Sequence, residues 1–284
     1  MAQCIAPVDI KNPHYGIRGT YYMAVPCGKC ANCLSDRRSD WSLRLQIELS
    51  HSTSAHFITL TYSDENLYYN ENGVPSVSKK EMQNYIKKLR KTTSEKLRYY
   101  LVGEYGTKTQ RPHYHILLFN YPQDKIQNIT HCWNNKHDII GNTQIGTVSH
   151  ASIHYVTKYH VNKTAFPELA NPSFTLMSRN PGIGAKYVDQ FREHHENKTS
   201  KAYFTDLGGE KRRLPRYLKE KLYTKPERLL MNLKNDVRQQ QEEIENMEHH
   251  ISKNPNKNYY EYAEEKKLQA IRQFQEKINK NDTF

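Results

Sequence analysis

The apolar positions change period several times along this chain, and each change marks an element. In SDRRSDWSLRLQIELSHS (35–52), Trp41, Leu45 and Leu49 recur every fourth residue with arginines between them, which predicts a helix. AHFITLTY (55–62) is a run of β-branched and aromatic residues and predicts a strand. A polar loop with Asn72-Gly73 and Pro75 follows. SKKEMQNYIKKLRK (78–91) then predicts an amphipathic helix with Ser78 as N-cap and Glu81 completing a capping box. LRYYLVGEYG (97–106) and HYHILLF (113–119) predict the two strands of a hairpin with a long loop. QDKIQNITHCW predicts a further helix, QIGTVSH (144–150) a strand, and SIHYVTKYHVNK (152–163) another helix. The order strand, helix, strand, strand, helix, strand, helix fits an α+β fold, an antiparallel sheet of ferredoxin-like type flanked by helices.

The ends read differently. Residues 1–35 carry Pro, Gly and four of the five cysteines without a clear period, and are expected to be irregular. Residues 164–217 are loop-rich, with SRNPGIGAKY and GGEKRRLPRY as Gly-, Pro- and Arg-bearing segments. In the tail, Leu230, Leu233, Val237, Ile244, Met247 and Ile251 follow alternating steps of three and four, with a polar slot at Gln240. That is a coiled-coil-like seam, interrupted at Pro255 and followed by a second helical stretch from Tyr259 to Ile278. The two could fold as a helical hairpin or pair with another copy. The expected division is a Cys-rich segment and helix over 1–54, a central domain over 55–222, and a helical tail over 223–284.

Charge adds a partner to this picture. The chain has 42 basic and 30 acidic residues, a formal +12. Lys225 to Phe284 holds 11 of each sign, so the whole excess lies in residues 1–224. A concentrated positive charge points to a polyanion, nucleic acid first; a solvated charged face is the plainer alternative. Arg37, Arg38 and Arg44, and Lys211, Arg212, Arg213 and Arg216, are the clusters that could meet a phosphate backbone. The 21 tyrosines could stack on unpaired bases, although most are expected to be ordinary half-buried strand residues. No apolar run reaches the roughly 20 residues needed to cross a bilayer, and the first residues lack the apolar core of a signal peptide. The expectation is a soluble intracellular protein with no membrane partner, and five cysteines argue against a disulfide framework there.

The chemistry concentrates in two places. His113 and His115 are two apart on a predicted strand and so share a face. Glu104 ends the preceding strand and lies across from them if the two form a hairpin. Two imidazoles and a carboxylate make a three-ligand set with open positions, suited to a divalent ion. Oxygen-rich surroundings would suit Mg²⁺ or Mn²⁺, and the nitrogen pair leans toward Mn²⁺. Downstream, Tyr155 and Tyr159 are four apart and share a helical face, with Lys158 beside them. A tyrosine is a weak nucleophile unless a cation favours its phenolate, and an i, i+4 pair is unsurprising in a chain so rich in tyrosine. At the N-terminus, Cys27, Cys30 and Cys33 are spaced by two residues each, and Cys4 lies upstream. Four thiolates suit a structural Zn²⁺. His14 competes with Cys4 for the fourth place, and iron–sulfur ligation uses similar spacing. Cys132, beside Trp133, is expected to be a buried packing residue.

RPHYHILLF, preceded by FITLTY and followed by the two-tyrosine YVTKYHVNK, resembles the motif set of HUH endonucleases. It is most similar to the rolling-circle replication initiators of microviruses of the gokushovirus type. The similarity extends to VPCGKCANCLSDRRSDWSLR, GEYGTKTQRPHYH and MSRNPGIGAKY and covers roughly residues 20–220. The resemblance implies a nickase and strand transferase acting on a single-stranded DNA origin in the host bacterial cytoplasm. Tyr155 or Tyr159 would form a 5′-phosphotyrosine link, assisted by Lys158 and by the ion on His113, His115 and Glu104. Host helicase and polymerase would be partners. The alternative from another class is a non-catalytic ferredoxin-like module that binds single-stranded nucleic acid by stacking bases on Tyr62, Tyr99, Tyr100 and Tyr114.

Overall fold

In the computed structural model the described residues are 4–13, 15–18, 21–106, 108–134, 139–161, 166–196, 204–207 and 210–281. In chain order the elements are β1 (Val8–Lys11), α1 (Tyr15–Arg18), β2 (Tyr22–Val25), α2 (Ala31–Ser50), β3 (Ala55–Thr61), α3 (Lys79–Lys91), β4 (Arg98–Tyr105) and β5 (Pro112–Phe119). A single 3-10 turn (Gln123–Lys125) leads to α4 (Gln127–Trp133), β6 (Thr143–Thr147), α5 (His150–Val161), β7 (Phe174–Met177) and α6 (Lys186–Glu196). The chain closes with β8 (Phe204–Leu207), β9 (Glu210–Arg213), α7 (Arg216–Leu222), α8 (Lys225–Lys253) and α9 (Tyr259–Asn281). Two units form, one of Arg37–Leu218 and one joining Met1–Asp36 to Lys219–Phe284.

The larger unit is built on a five-stranded antiparallel sheet in the order β6-β3-β5-β4-β7. The first four strands of that order reproduce the ferredoxin-like arrangement expected from the element order. β7 adds an edge strand beside β4 that the loop-rich stretch 164–217 did not announce. Period-two alternation gives the sheet two unlike faces. Ile58, Leu60, Leu101, Tyr114, Ile116 and Leu118 point to one face, under Met82, Tyr85, Ile86 and Leu89 of α3 and Trp133 of α4. Tyr100, Val102, Leu117 and Phe119 point to the other, where Leu45 of α2 and Ile153 and Val156 of α5 cover them. That second face also carries His113, His115 and Glu104. Gly103 lies between the two, and a Cβ there would stand 2.9 Å from the Phe174 ring and 3.1 Å from the Tyr114 ring. Only a residue without a side chain lets those rings close over β4.

A buried ion pair clamps α2 to the sheet. The Arg98 guanidinium on β4 pairs with the Glu48 carboxylate on α2, and their side chains are 7% and 6% exposed. Arg98 also donates to the carbonyls of Pro181 (2.8 Å) and Gly182 (3.0 Å), and Glu48 accepts from the Gly184 amide at 2.7 Å. The Gly-rich RNPGIG loop is therefore held inside the protein. Its glycines serve packing: Gly184 has φ +76 and lies against the Arg44 backbone, while Gly182 lies against the Tyr217 ring. This corrects the reading of the arginine clusters as free phosphate binders. Arg44 sits between the Trp41 and Tyr217 rings and donates to the Ile183 carbonyl. Arg212 bonds Gln46 and Ser39, and Arg213 pairs with Asp40.

Two local expectations change in the structure. Ser78 caps α3 by accepting from the Glu81 amide, but the reciprocal half of the capping box is absent. The Ser78 amide instead donates to the Tyr114 hydroxyl at 2.7 Å, and the Glu81 carboxylate accepts from the Tyr62 hydroxyl. Strand–helix contacts replaced the local bond because they also satisfy two buried phenols. The N-terminal segment is not irregular: β1 and β2 pair antiparallel, Val8 opposite Val25 through Lys11 opposite Tyr22. Every residue of β1 is exposed, so no buried face imposed a period on its sequence. In the tail, α8 opens with a full capping box between Thr224 and Glu227 and closes at Asn254, one residue before Pro255. No helix among the described residues is long and apolar enough to cross a membrane.

Candidate active site

The antiparallel register brings the first ligand set together. Glu104 on β4 and Thr61 on β3 flank His113 on β5, and Val102 and Thr59 flank His115 one row along. All of these face the same side as the α2 and α5 packing. His113 Nε2 and His115 Nε2 lie 3.1 and 3.0 Å from the same oxygen, Glu104 Oε1. Each ring is held from behind. His113 Nδ1 donates to the Arg111 carbonyl at 3.1 Å, and His115 Nδ1 meets the Thr59 hydroxyl at 3.0 Å. A carbonyl can only accept, so the His113 proton belongs on Nδ1 and its Nε2 turns a lone pair toward the carboxylate. Burial opposes charging His113, but the bonds to Glu104 and to the Arg111 carbonyl outweigh it and raise its pKa above the ordinary value.

These groups fit a divalent cation. Glu104 is fully buried, and its second oxygen, Oε2, has no hydrogen-bond partner among the described residues. A buried, uncompensated carboxylate facing two imidazole lone pairs is costly without a positive charge between them. The ligand atoms of Glu104, His113 and His115 all lie within 4.8 Å of one another, and imidazoles bonded on the far nitrogen are the usual state of metal-bound histidine.

A tyrosine stands at the open side. Tyr155 Oη lies 3.3 Å from His115 Nε2, with the two rings edge-to-face at 4.9 Å. Phe57, on β3, stacks on His115 at 5.6 Å and meets the Tyr155 ring edge-on at 6.3 Å. Ile153 and Val156 are fully buried and seat α5 on the sheet, leaving Tyr155 41% exposed beside the ligands. Lys158, one turn on, is half-buried and has no hydrogen bond or ion pair among the described residues. The Tyr159 side chain lies outside the described residues. Phe57 and Thr59 escaped sequence reasoning. The signal was present in FITLTY, where Phe57, Thr59 and Thr61 alternate on the face that pairs with HYH.

The tyrosines named as stacking platforms are mostly committed elsewhere. Tyr62, Tyr100 and Tyr114 are buried in the two cores and Tyr99 is half-buried. The exposed rings are Tyr15, Tyr21, Tyr22, Tyr69, Tyr155 and Tyr260. Of these, Tyr15, Tyr21 and Tyr22 form an edge-to-face chain, with the Lys11 ammonium 5.3 Å from the Tyr21 ring.

In the smaller unit, the sulfurs of Cys4, Cys27, Cys30 and Cys33 all lie within 4.8 Å of one another. Cys4 and Cys30 are 3.8 Å apart at sulfur. Backbone amides point at the sulfurs: Cys27 N to Cys4 at 3.3 Å, and Lys29 N and Cys30 N to Cys27 at 3.4 and 3.3 Å. Burial works to raise the Cys30 thiol, yet amide hydrogen bonds bring it down to about 6, whereas burial drives Cys33 up to about 12. Four crowded thiols with amide donors form a ligand set for one metal ion. His14, the competing ligand, lies outside the described residues. Cys132 is half-buried against the α3-side core.

An antiparallel sheet that presents a His-x-His pair and a carboxylate to a tyrosine-bearing helix is the arrangement of the HUH class. Residues 55–165, which carry all of it, match the family model for the replication-associated protein ORF2. The chain is 30% identical over 223 residues to replication-associated protein ORF2 of Spiroplasma virus 4, covering 70% of this chain and 68% of that protein. It is 27% identical over 223 residues to replication-associated protein VP4 of Bdellovibrio phage phiMH2K, covering 69% and 67%. A 101-residue stretch is 28% identical to replication-associated protein ORF4 of Chlamydia phage 1, covering 34% of this chain and 24% of that one. The chain belongs to the microvirus-type phage replication-associated proteins, and its role lies in phage DNA replication.

Proposed function

We propose that this chain initiates rolling-circle replication of a phage genome by nicking single-stranded DNA at the origin, with Tyr155 as nucleophile. The observation that carries the reading is the 3.3 Å approach of Tyr155 Oη to His115 Nε2, beside a buried carboxylate and a second imidazole. The Tyr155 oxygen bonds to the scissile phosphorus and gives up its proton to solvent. The bond from phosphorus to the 3′ oxygen breaks, and that oxygen takes up a proton. The strand ends are then a 5′-phosphotyrosine link and a free 3′-OH. Glu104, His113 and His115 would hold Mg²⁺ or Mn²⁺, which supplies positive charge at the phosphate oxygens. Thr59 and the Arg111 carbonyl keep both imidazoles turned to the site, and Phe57 shields one side of it from water. Lys158 adds a cation one turn from the nucleophile. Tyr159, four residues on, acts as the second nucleophile that cuts the regenerated origin and permits rejoining as a circle. Host helicase and polymerase extend the strand from the 3′-OH, in the host bacterial cytoplasm.

The thiol set of Cys4, Cys27, Cys30 and Cys33 takes one structural Zn²⁺. Sulfurs bound tetrahedrally at about 2.3 Å stand about 3.8 Å apart, which the Cys4–Cys30 spacing of 3.8 Å supports. An iron–sulfur cluster would hold its cysteines on separate irons, and so further apart. Elemental analysis of the purified chain should find zinc near one per chain, retained in His113→Ala and lost in Cys30→Ser.

The test of the nicking reading is a covalent protein–DNA adduct on a denaturing gel after incubation with single-stranded oligonucleotides and Mn²⁺. Tyr155→Phe combined with Tyr159→Phe should abolish the adduct, and so should His113→Ala in a folded chain. An adduct that survives in the double variant refutes the nucleophile. The absence of any adduct from the wild-type chain across an oligonucleotide library would favour the non-catalytic binding module.

A further inference from the structure

The apolar stripe of α8 is out of register with any need of its own chain. Leu230, Val237, Ile244 and Ile251 are 54%, 66%, 45% and 49% exposed. They are spaced by seven residues each, the a positions of three consecutive heptads. Leu233, Gln240 and Met247 occupy the d positions between them; Leu233 and Met247 are half-buried and Gln240 is exposed. Four large aliphatic side chains in a straight row on a 29-residue helix form the seam of a two-stranded coiled coil whose second strand is missing. His250, by contrast, is buried and stacks on Tyr262 of α9 at 4.3 Å, so α9 has its own contact at the far end of the helix.

We infer that the seam is filled by α8 of a second copy of this chain, running antiparallel. Charge decides both the occupant and the direction. Lys234 and Glu248 occupy e positions, are exposed, and have no ion-pair partner among the described residues. In an antiparallel pair centred between Gln240 and Ile244, Val237 packs on Met247 of the other copy and Ile251 on Leu233. The e residues then face each other across the seam, Lys234 of each copy against Glu248 of the other, giving two attractive pairs. One repulsive pair remains, Glu243 against its own copy at the two-fold axis. A parallel pair has no attractive flanking contact. It sets Glu243 against Glu248 twice and Gln240 against Gln240. Gln240 in the antiparallel pair meets Ile244, and a polar residue at one core position penalises sliding by a heptad.

Sedimentation equilibrium of the full chain over a concentration series tests this. The mass should rise from 33.5 kDa toward twice that value as concentration increases. Val237→Lys combined with Ile244→Lys should hold it at 33.5 kDa throughout, with far-ultraviolet circular dichroism showing the helix content unchanged. Glu248→Lys should weaken the dimer by about fivefold, because two attractive pairs become repulsive. Adding Lys234→Glu should restore it. A wild-type chain that stays monomeric at every concentration overturns the inference, as does a dimer indifferent to the two core lysines. Tighter association by Glu248→Lys alone, the sign a parallel pair requires, overturns the antiparallel assignment.

Discussion

Replacing Thr59 with Val should weaken divalent-metal binding by about 10- to 100-fold while leaving the chain folded. Val keeps the shape of Thr, so the β3 surface beside β5 loses one hydroxyl and little else. That hydroxyl lies 3.0 Å from His115 Nδ1. His115 is 5% exposed, so water does not readily replace it. A buried ring nitrogen stripped of its partner costs about 1–3 kcal/mol. The ring can avoid that cost by moving its proton to Nε2, the nitrogen that faces Glu104 and must carry a lone pair to bind an ion. The loss in affinity, about 1.4–2.7 kcal/mol for 10- to 100-fold, is of the same size. Calorimetric titration with Mn²⁺ reads it directly, and urea unfolding without metal checks that stability moves by less. Thr59→Ser, which keeps the hydroxyl, should recover most of the affinity. Unchanged Mn²⁺ binding in a folded Thr59→Val chain, or a defect that Ser does not repair, would refute this account of the site.

Two further outcomes follow from the packing that holds the site. Glu48→Gln leaves the Arg98 guanidinium buried without its counter-charge and puts an amide donor near the Gly184 amide and Arg98. Stability should fall by about 3–5 kcal/mol, seen as a lower denaturant midpoint with an unchanged slope. Gly103→Ala forces a methyl group to within 2.9 Å of the Phe174 ring and 3.1 Å of the Tyr114 ring. It should cost about 1–3 kcal/mol, and Phe174→Ala in the same chain should recover part of that loss, since the clash is then removed at its nearer side.

What could be read from the chain alone were the regularities that repeat within a few residues. The strands of the central sheet, α3 with its Ser78 cap, α5 and the tail helix all carry their own period. The placement of His113 and His115 on one face follows from that period, and so does the candidacy of Glu104 once a hairpin joins β4 to β5. Only the tertiary structure decided the rest. Thr59 and Phe57 belong to the site because β3 pairs with β5, a contact between residues 56 apart in the case of Thr59 and His115. Arg44, Arg212 and Arg213 read as a basic face, yet packing spends them on carbonyls, rings and Asp40. The glycines of RNPGIG looked like a loop open to a ligand, and the buried Glu48–Arg98 pair holds that loop inside. Local period records which way a side chain points, but the partner it meets belongs to a distant segment whose approach no short stretch of sequence encodes.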